Sequence, residues 1–311
     1  MSPTRKPRAL SPGARLRIIS PASPADAKIS ALGLAELTRL GYIPVTSGVT
    51  GSTRDYFSAS TKIRRTELLD ALADETCGGI ICTRGGYGST YLLDKKIRHA
   101  KTARILLGYS DLTSLQINLW QKRGWISFYG PMVASGFSGG AGAPHGYDEP
   151  SLRSAVTQTI GGWSLALDGV TLRKGFAKGI VLGGCMTLVE ATLGTLWELD
   201  TRGSILILED RGMKPYQVDR VLTHLRQAGK FRGVRGIILG EFPECAPAVA
   251  GSPSVRDVAR RILGELKIPI VWGARIGHTP RPLLTIPLGV RARLNAHKSG
   301  ILEILEPAVT P

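Results

Sequence analysis

The feature that most narrows the fold is a rhythm in the first 130 residues, where short aliphatic runs of strand length alternate with amphipathic stretches of helical period. The apolar runs lie at 16–20, 43–46, 79–82, 105–107 and 126–129. Between them, Leu32, Leu34, Leu37 and Leu40 recur near one helical face over 29–40, and Leu68, Leu69 and Leu72 do so over 65–73. A third helix is expected over 112–122. Strands separated in this way by helices pair in parallel, because each crossover returns the chain to the same end of the sheet.

A chain of 311 residues exceeds what one core usually organises. The stretch SGFSGGAGAPHGYD at 135–148 is rich in Gly, Ser and Pro and marks a boundary. The expected organisation is therefore an α/β domain over 1–134, a linker over 135–170 and a second domain over 171–311. In the second domain 193–199 and 215–228 read as helices, with Pro215 in a first turn where its missing N–H costs nothing. Runs at 205–208, 236–240, 270–272, 284–288, 290–294 and 301–305 read as strands.

Hydrophobic residues make up 43% and charged residues 21%, the balance of a globular chain. No run approaches the ~20 apolar residues of a membrane-spanning helix. The basic opening MSPTRKPRALSPGARLR lacks the apolar segment of ~7–15 residues of a secretory signal, so no membrane partner is expected. Cys77, Cys82, Cys185 and Cys245 are too few and too scattered for a disulfide framework and lack metal-site spacing. Reduced, buried thiols, a cytoplasmic location, no metal and no cofactor are the expectation. The net charge of +16 attracts anions without choosing among them. Its densest runs, at 61–65 and 95–101, lack interleaved aromatics, so they are expected to be solvated faces and nucleic acid is not an expected partner.

Chemistry concentrates where strands end. GGIICTRGGYGST at 78–90 carries an apolar strand into Arg84, Gly85, Gly86, Tyr87 and Gly88. Glycines there let the backbone approach a ligand and turn N–H groups toward an anion. The spacing is not that of a dinucleotide fingerprint. In ILLGYSDLTSL at 105–115 a buried strand passes through Tyr109 to Ser110 and straight into a helix, the setting of a nucleophile elbow, although Asp111 and Leu112 replace the end of the usual GxSxG pattern. A helix N-cap role for Ser110 or Asp111 is the structural alternative. A serine nucleophile needs a base oriented by a carboxylate. Of five histidines, His99 lies in a basic run, His145 in the linker, His224 in an amphipathic helix and His297 near the last strands; His278 follows a buried strand in a Gly-rich loop. Glu209 and Asp210 end another wholly apolar strand.

Taken together, RGGYG (84–88), GYSDLT (108–113), YGPM (129–132), GGCMTLVEATLGT (183–195), LEDRGMKPYQVDR (208–220) and GHTPRPLLTIPLG (277–289) resemble the LD-carboxypeptidase family, serine peptidases that trim murein peptides. The resemblance implies an N-terminal flavodoxin-like or amidotransferase-like parallel-sheet domain carrying the serine, a smaller C-terminal α/β domain of swivelling type carrying Glu and His, and a homodimer. It implies Ser110 as nucleophile, His278 as base and then acid, and Glu209 as the residue that holds the imidazole. Backbone N–H groups of Gly86 and Asp111 would form the oxyanion hole, and Arg84 is a candidate anchor for a substrate carboxylate. The expected reaction releases terminal D-alanine from a murein tetrapeptide.

The family pattern often has His at Tyr129, Asn at Cys185, Glu at Lys214 and Asp at Ala14. None of these departures is expected to touch the three catalytic candidates, whereas Cys185 and Lys214 would alter hydrogen bonding or charge near the cleft. Three rival readings exist: a hydrolase of aminoacyl-nucleotide amides like the microcin-C immunity proteins, which needs an aromatic shelf such as Trp163 or Trp197; a basic nucleic-acid-binding protein; and a catalytically dead sugar-peptide sensor on the same fold, which the full set of triad candidates disfavours.

Overall fold

A computed structural model describes residues 3–47, 56–93, 102–247, 249 and 251–311. The basic run at 95–101, with His99, lies outside them. The strands β1 (Arg15–Ile19), β2 (Ile43–Thr46), β3 (Gly79–Cys82), β4 (Ile105–Gly108) and β5 (Ser127–Tyr129) alternate with helices α1 (Ala27–Arg39), α2 (Thr61–Ala73) and α3 (Thr113–Arg123). They lie parallel in the order β2-β1-β3-β4-β5, the flavodoxin order. Every residue of β3 and β4 is buried, as expected for parallel strands covered on both faces. Local chemistry sets the helix ends: Asp26 caps α1, Ser60 caps α2, and Gly124 in the left-handed region closes α3.

Beyond α4 (Glu149–Thr157) the chain forms β6 (Trp163–Ala166), β7 (Val170–Arg173), β8 (Gly175–Cys185), α5 (Met186–Ala191), β9 (Ser204–Glu209), α6 (Pro215–Gln227), β10 (Gly236–Leu239), α7 (Val255–Leu263), β11 (Ile270–Trp272), β12 (Ile286–Leu288), β13 (Arg291–Ala296) and β14 (Ile301–Ile304). Among the described residues the second sheet runs β6-β14-β13-β8-β9-β10-β11-β7, with β8 to β11 parallel and antiparallel strands on either side. Val218, Val221, Leu222 and Leu225 of α6 pack with Val258, Ala259 and Ile262 of α7 over β9 and β10. Among the described residues no helix is long and apolar enough to cross a membrane.

Three expectations need correction. The helix expected at 193–199 is a series of turns after α5: Gly194 has φ +74°, and the Thr192 and Thr195 hydroxyls donate to the Val189 and Thr192 carbonyls, competing with helix continuation. The stretch expected to link two domains over 135–170 is built into the body, since α4 packs on β12 and β6 forms an edge of the second sheet. The run at 61–65 is a solvated face only in part: Lys62 and Ile63 are exposed, but its first arginine is not. Arg64 is fully buried, and its guanidinium donates to the carbonyls of Pro21 and Gly88 at 2.6 and 2.7 Å while lying over the Phe57 ring. It thereby holds the loop after β1 against the glycine loop after β3.

One strand crosses between the sheets. β12 leaves the second half of the chain and pairs antiparallel with β5, with Ile286 opposite Tyr129 and Leu288 opposite Ser127. Pro287 is tolerated because β12 lies at the edge of its sheet. Ile286 is fully buried. Replacing Ile286 with Ala should cost roughly 2–5 kcal/mol of stability, measured by urea denaturation; a loss well under about 1 kcal/mol would mean that the side chain is not packed as described.

Candidate active site

The order of the first sheet reverses between β1 and β3, and open α/β sheets place ligands outside the carboxyl ends of strands at such a point. A cavity of about 260 Å³ lies there. Asp26 after β1, Arg84, Gly85 and Gly86 after β3, Tyr109 and Ser110 after β4, and Met132 and Ser135 after β5 line it. Arg211 and His278 close it from the second sheet.

Ser110 follows β4 with φ +65°, a left-handed conformation that costs a non-glycine residue energy and concentrates at functional turns. The capping alternative fails on geometry. Neither the short turn Ser110–Leu112 nor α3 has a side-chain cap hydrogen bond. The Asp111 carboxylate instead accepts from the Ser89 N–H at 2.8 Å, and the Ser89 hydroxyl donates to the Asp111 carbonyl at 2.6 Å, tying the elbow to the turn after the glycine loop. Gly85 leaves room for the serine: a Cβ there would stand 2.7 Å from Ser110 Cβ and 2.9 Å from its Oγ. The same point lies 3.3 Å from the Asp111 backbone nitrogen.

The second sheet supplies an acid and a base. Glu209, the last residue of β9, is fully buried. Its Oε2 accepts from both the Nδ1 of His278 at 2.8 Å and the His278 backbone N–H at 2.9 Å. Gly277 permits this approach, because a Cβ there would fall 2.2 Å from Glu209 Cδ. Asp210 turns the other way and accepts from the Thr187 N–H and hydroxyl at 2.9 and 2.5 Å, satisfying the start of α5. Glu209 is therefore the partner of His278, and Asp210 is structural.

Burial opposes ionisation of both members, yet their mutual attraction prevails. Desolvation would raise the Glu209 pKa, but the His278 charge and hydrogen bonds hold it below the ordinary carboxylate value. Desolvation likewise works to lower the His278 pKa, and the Glu209 carboxylate outweighs it, leaving the imidazole above its usual 6.5. With Glu209 bound to Nδ1, Nε2 is the ring nitrogen left for proton exchange. Ser110 and His278 line the same cavity, and among the described residues no hydrogen bond joins their side chains.

Among the described residues the other histidines lie away from the cavity: His224 meets Glu190, His297 lies against Phe176, and the backbone N–H of His145 donates to the Pro280 carbonyl. Several lining residues escaped sequence reasoning. The Tyr109 hydroxyl lies 2.5 Å from Ser135 Oγ, and its ring meets His278 edge-on with centroids 5.2 Å apart. Arg211 brings a second guanidinium to the cavity that holds Arg84. The signal for both was adjacency, Tyr109 to Ser110 and Arg211 to the Glu209-Asp210 pair.

The departures from the family pattern fall differently from expectation. Lys214 is exposed at the head of α6, where its N–H donates to Gln217 Oε1 at 2.7 Å, and it does not line the cavity. Cys185 is buried beside Asp210, with its N–H on Thr113 Oγ1 at 3.0 Å. Tyr129, expected to be remote from the catalytic candidates, touches two of them: its hydroxyl donates to Glu209 Oε1 at 2.5 Å and accepts from the Ser110 N–H at 3.3 Å.

Known proteins agree with this arrangement. The LD-carboxypeptidase N-terminal domain family matches residues 16–130, and the LD-carboxypeptidase C-terminal domain family matches residues 178–294. A Bacillus subtilis protein named "Probable murein peptide carboxypeptidase" is 31% identical over 304 residues, spanning 96% of this chain and 94% of its own. The microcin C7 self-immunity protein MccF of Escherichia coli is 27% identical over 299 residues, 86% of each chain. A structure of MccF with glutamyl sulfamoyl guanosine superposes with a TM-score of 0.87 at 23% identity over 98% of this chain and 99% of that one, which establishes the shared fold. Muramoyltetrapeptide carboxypeptidase from Oxalobacter formigenes superposes with a TM-score of 0.80 at 26% identity over 94% of this chain and 99% of that one. Both halves of the chain, each carrying its part of the cavity, thus match in order and nearly end to end: the protein belongs to the LD-carboxypeptidase family of peptidases.

Proposed function

We propose that the protein is a serine carboxypeptidase that hydrolyses the L,D-type amide releasing terminal D-alanine from murein tetrapeptide. The observation that carries the reading is a Glu209–His278 pair facing a serine in left-handed conformation across one cavity. Ser110 attacks the amide carbonyl while His278 Nε2 takes the hydroxyl proton; the imidazolium, steadied by Glu209, then protonates the departing D-alanine amine. Water, activated by the same imidazole, releases the tripeptide from the acyl-enzyme. Contacts of this kind are commonly long without substrate and tighten when it binds. The N–H groups of Gly86 and Asp111 receive the oxyanion, at roughly 3 kcal/mol for a well-placed donor. Arg84, joined by Arg211, draws the substrate carboxylate. Four free, buried cysteines support a reducing compartment, in keeping with a cytoplasmic role in recycling cell-wall peptides, and the family likeness supports a homodimer.

A second reading has one observation in its favour. Tyr56, Phe57, Tyr87 and Tyr91 form a cluster with ring centroids 4.7–5.9 Å apart next to the glycine loop, and three of the rings are exposed. Such a shelf suits the base of an aminoacyl-nucleotide amide. Trp163 and Trp197, by contrast, pack against the hydrophobic core. Presenting murein tetrapeptide and an aminoacyl sulfamoyl nucleoside to the purified protein separates the readings, and D-alanine release at the higher kcat/KM is expected.

Replacing Ser110 with Ala should leave thermal unfolding unchanged and reduce D-alanine release by a factor on the order of 10⁴ or more; retained turnover would remove Ser110 from the mechanism. Because the base must be neutral to act and its pKa lies above 6.5, the rising limb of kcat/KM against pH should have its midpoint above that value. A midpoint below it would contradict the Glu209 pairing. Gly85→Ala, whose methyl group would meet Ser110, should lower kcat by about 10-fold or more with modest loss of stability, read by steady-state kinetics beside a melting curve.

A further inference from the structure

We propose that Tyr129 is a positioning residue whose hydroxyl couples the backbone of the nucleophile to the carboxylate that orients the base. The inference rests on the serine-hydrolase reading above and assigns that mechanism a fourth side chain. Tyr129 ends β5, where strand pairing places it opposite Gly108 of β4 and Ile286 of β12, so its main chain is held from both sides. Its side chain is fully buried, with the Tyr109 ring edge-on at 6.1 Å. The direction of the hydrogen bonds follows from valence. A backbone N–H can only donate, so the Tyr129 oxygen accepts from Ser110, and its single hydrogen goes to Glu209 Oε1. The result is a chain from Ser110 N–H through the phenol to the carboxylate, whose members polarise one another in the same sense.

The two oxygens of Glu209 thereby have different tasks. Oε2 receives both His278 donors, and Oε1 receives Tyr129. The phenol also spans the two halves of the site, since Ser110 and Tyr129 belong to the first sheet and Glu209 to the second. Burial pushes the phenol's pKa up, so it stays a neutral donor across the working range. An imidazole at this position would donate only in one tautomer and could become cationic. Tyr129 therefore gives this chain a donor that pH does not switch.

The test is Tyr129→Phe, which keeps the ring and removes both hydrogen bonds. Expected is a fall in kcat of about 10- to 100-fold with KM within about twofold, and a parallel fall in the rate at which diisopropyl fluorophosphate labels Ser110. A second readout separates positioning from packing. Relieved of one donor, the Glu209–His278 pair holds its proton more tightly, so the rising limb of the pH profile should move to higher pH in Tyr129→Phe. Asp210 and Arg211, whose charges also act on His278, are unchanged by the substitution. A folded variant with wild-type kcat, or one that is slower with an unmoved limb, overturns the proposal. Tyr129→His restores a donor and should recover at least about tenfold of the lost rate; recovery of none also overturns it. Should Tyr129→Phe fail to fold, Tyr129→His carries the test alone: turnover within about tenfold of wild type supports the coupling, and a larger loss overturns it. Failure of the underlying mechanism looks different, because Ser110 of the wild-type protein would then resist labelling altogether.

Discussion

A carboxylate with no access to water governs the arrangement of the site. An isolated ion of this kind costs several kcal/mol to bury and would take up a proton. Glu209 remains an anion because donors reach it from both sides, two from His278 and one from Tyr129. Those donors belong to different sheets, so the ion is stable only while the two halves stay in register. The same contact that satisfies the charge therefore also sets the position of the imidazole relative to the serine turn.

Around that ion the fold concentrates its irregular geometry. The turn at Ser110 is left-handed, the glycine loop presses on it without a side chain, and Gly277 lets the histidine loop lie against the carboxylate. Arg64 braces the glycine loop by donating to the Gly88 carbonyl within it and to the Pro21 carbonyl of the loop after β1, satisfying both in the interior. Regular secondary structure thus ends at the cavity on every side, and side-chain hydrogen bonds take over from the ladders of the sheets.

Much of this was legible before any coordinates. The parallel sheet followed from uninterrupted apolar runs such as GIIC and ILLG, whose burial on both faces leaves no alternation to obscure them. Ser110, Glu209 and His278 each stand at or after a strand end; the structure places Ser110 and His278 on one cavity and Glu209 buried behind His278, bonded to its Nδ1. What escaped had weaker local signals. β8 is interrupted by Gly175, Gly179, Gly183 and Gly184, so its sequence does not read as a strand, and the short half-exposed β6 and β7 have no apolar run at all. The burial of Arg64 and the reach of Tyr129 to Glu209 depend on contacts distant in sequence, which periodicity cannot reveal. The apolar strand alone does not separate Asp210 from Glu209; the family resemblance selects Glu209, and the opposite directions of the two side chains give the physical reason.

The pairing of β12 with β5 has a bearing on how the chain is made. The sheet that holds the serine lacks β12 until synthesis has passed Leu288, about 160 residues after β5. Until then the edge of β5, buried in the finished protein, offers unpaired N–H and C=O groups to any extended neighbour. The first sheet therefore keeps an open edge during synthesis, and that interval ends only when β12 arrives to cover it.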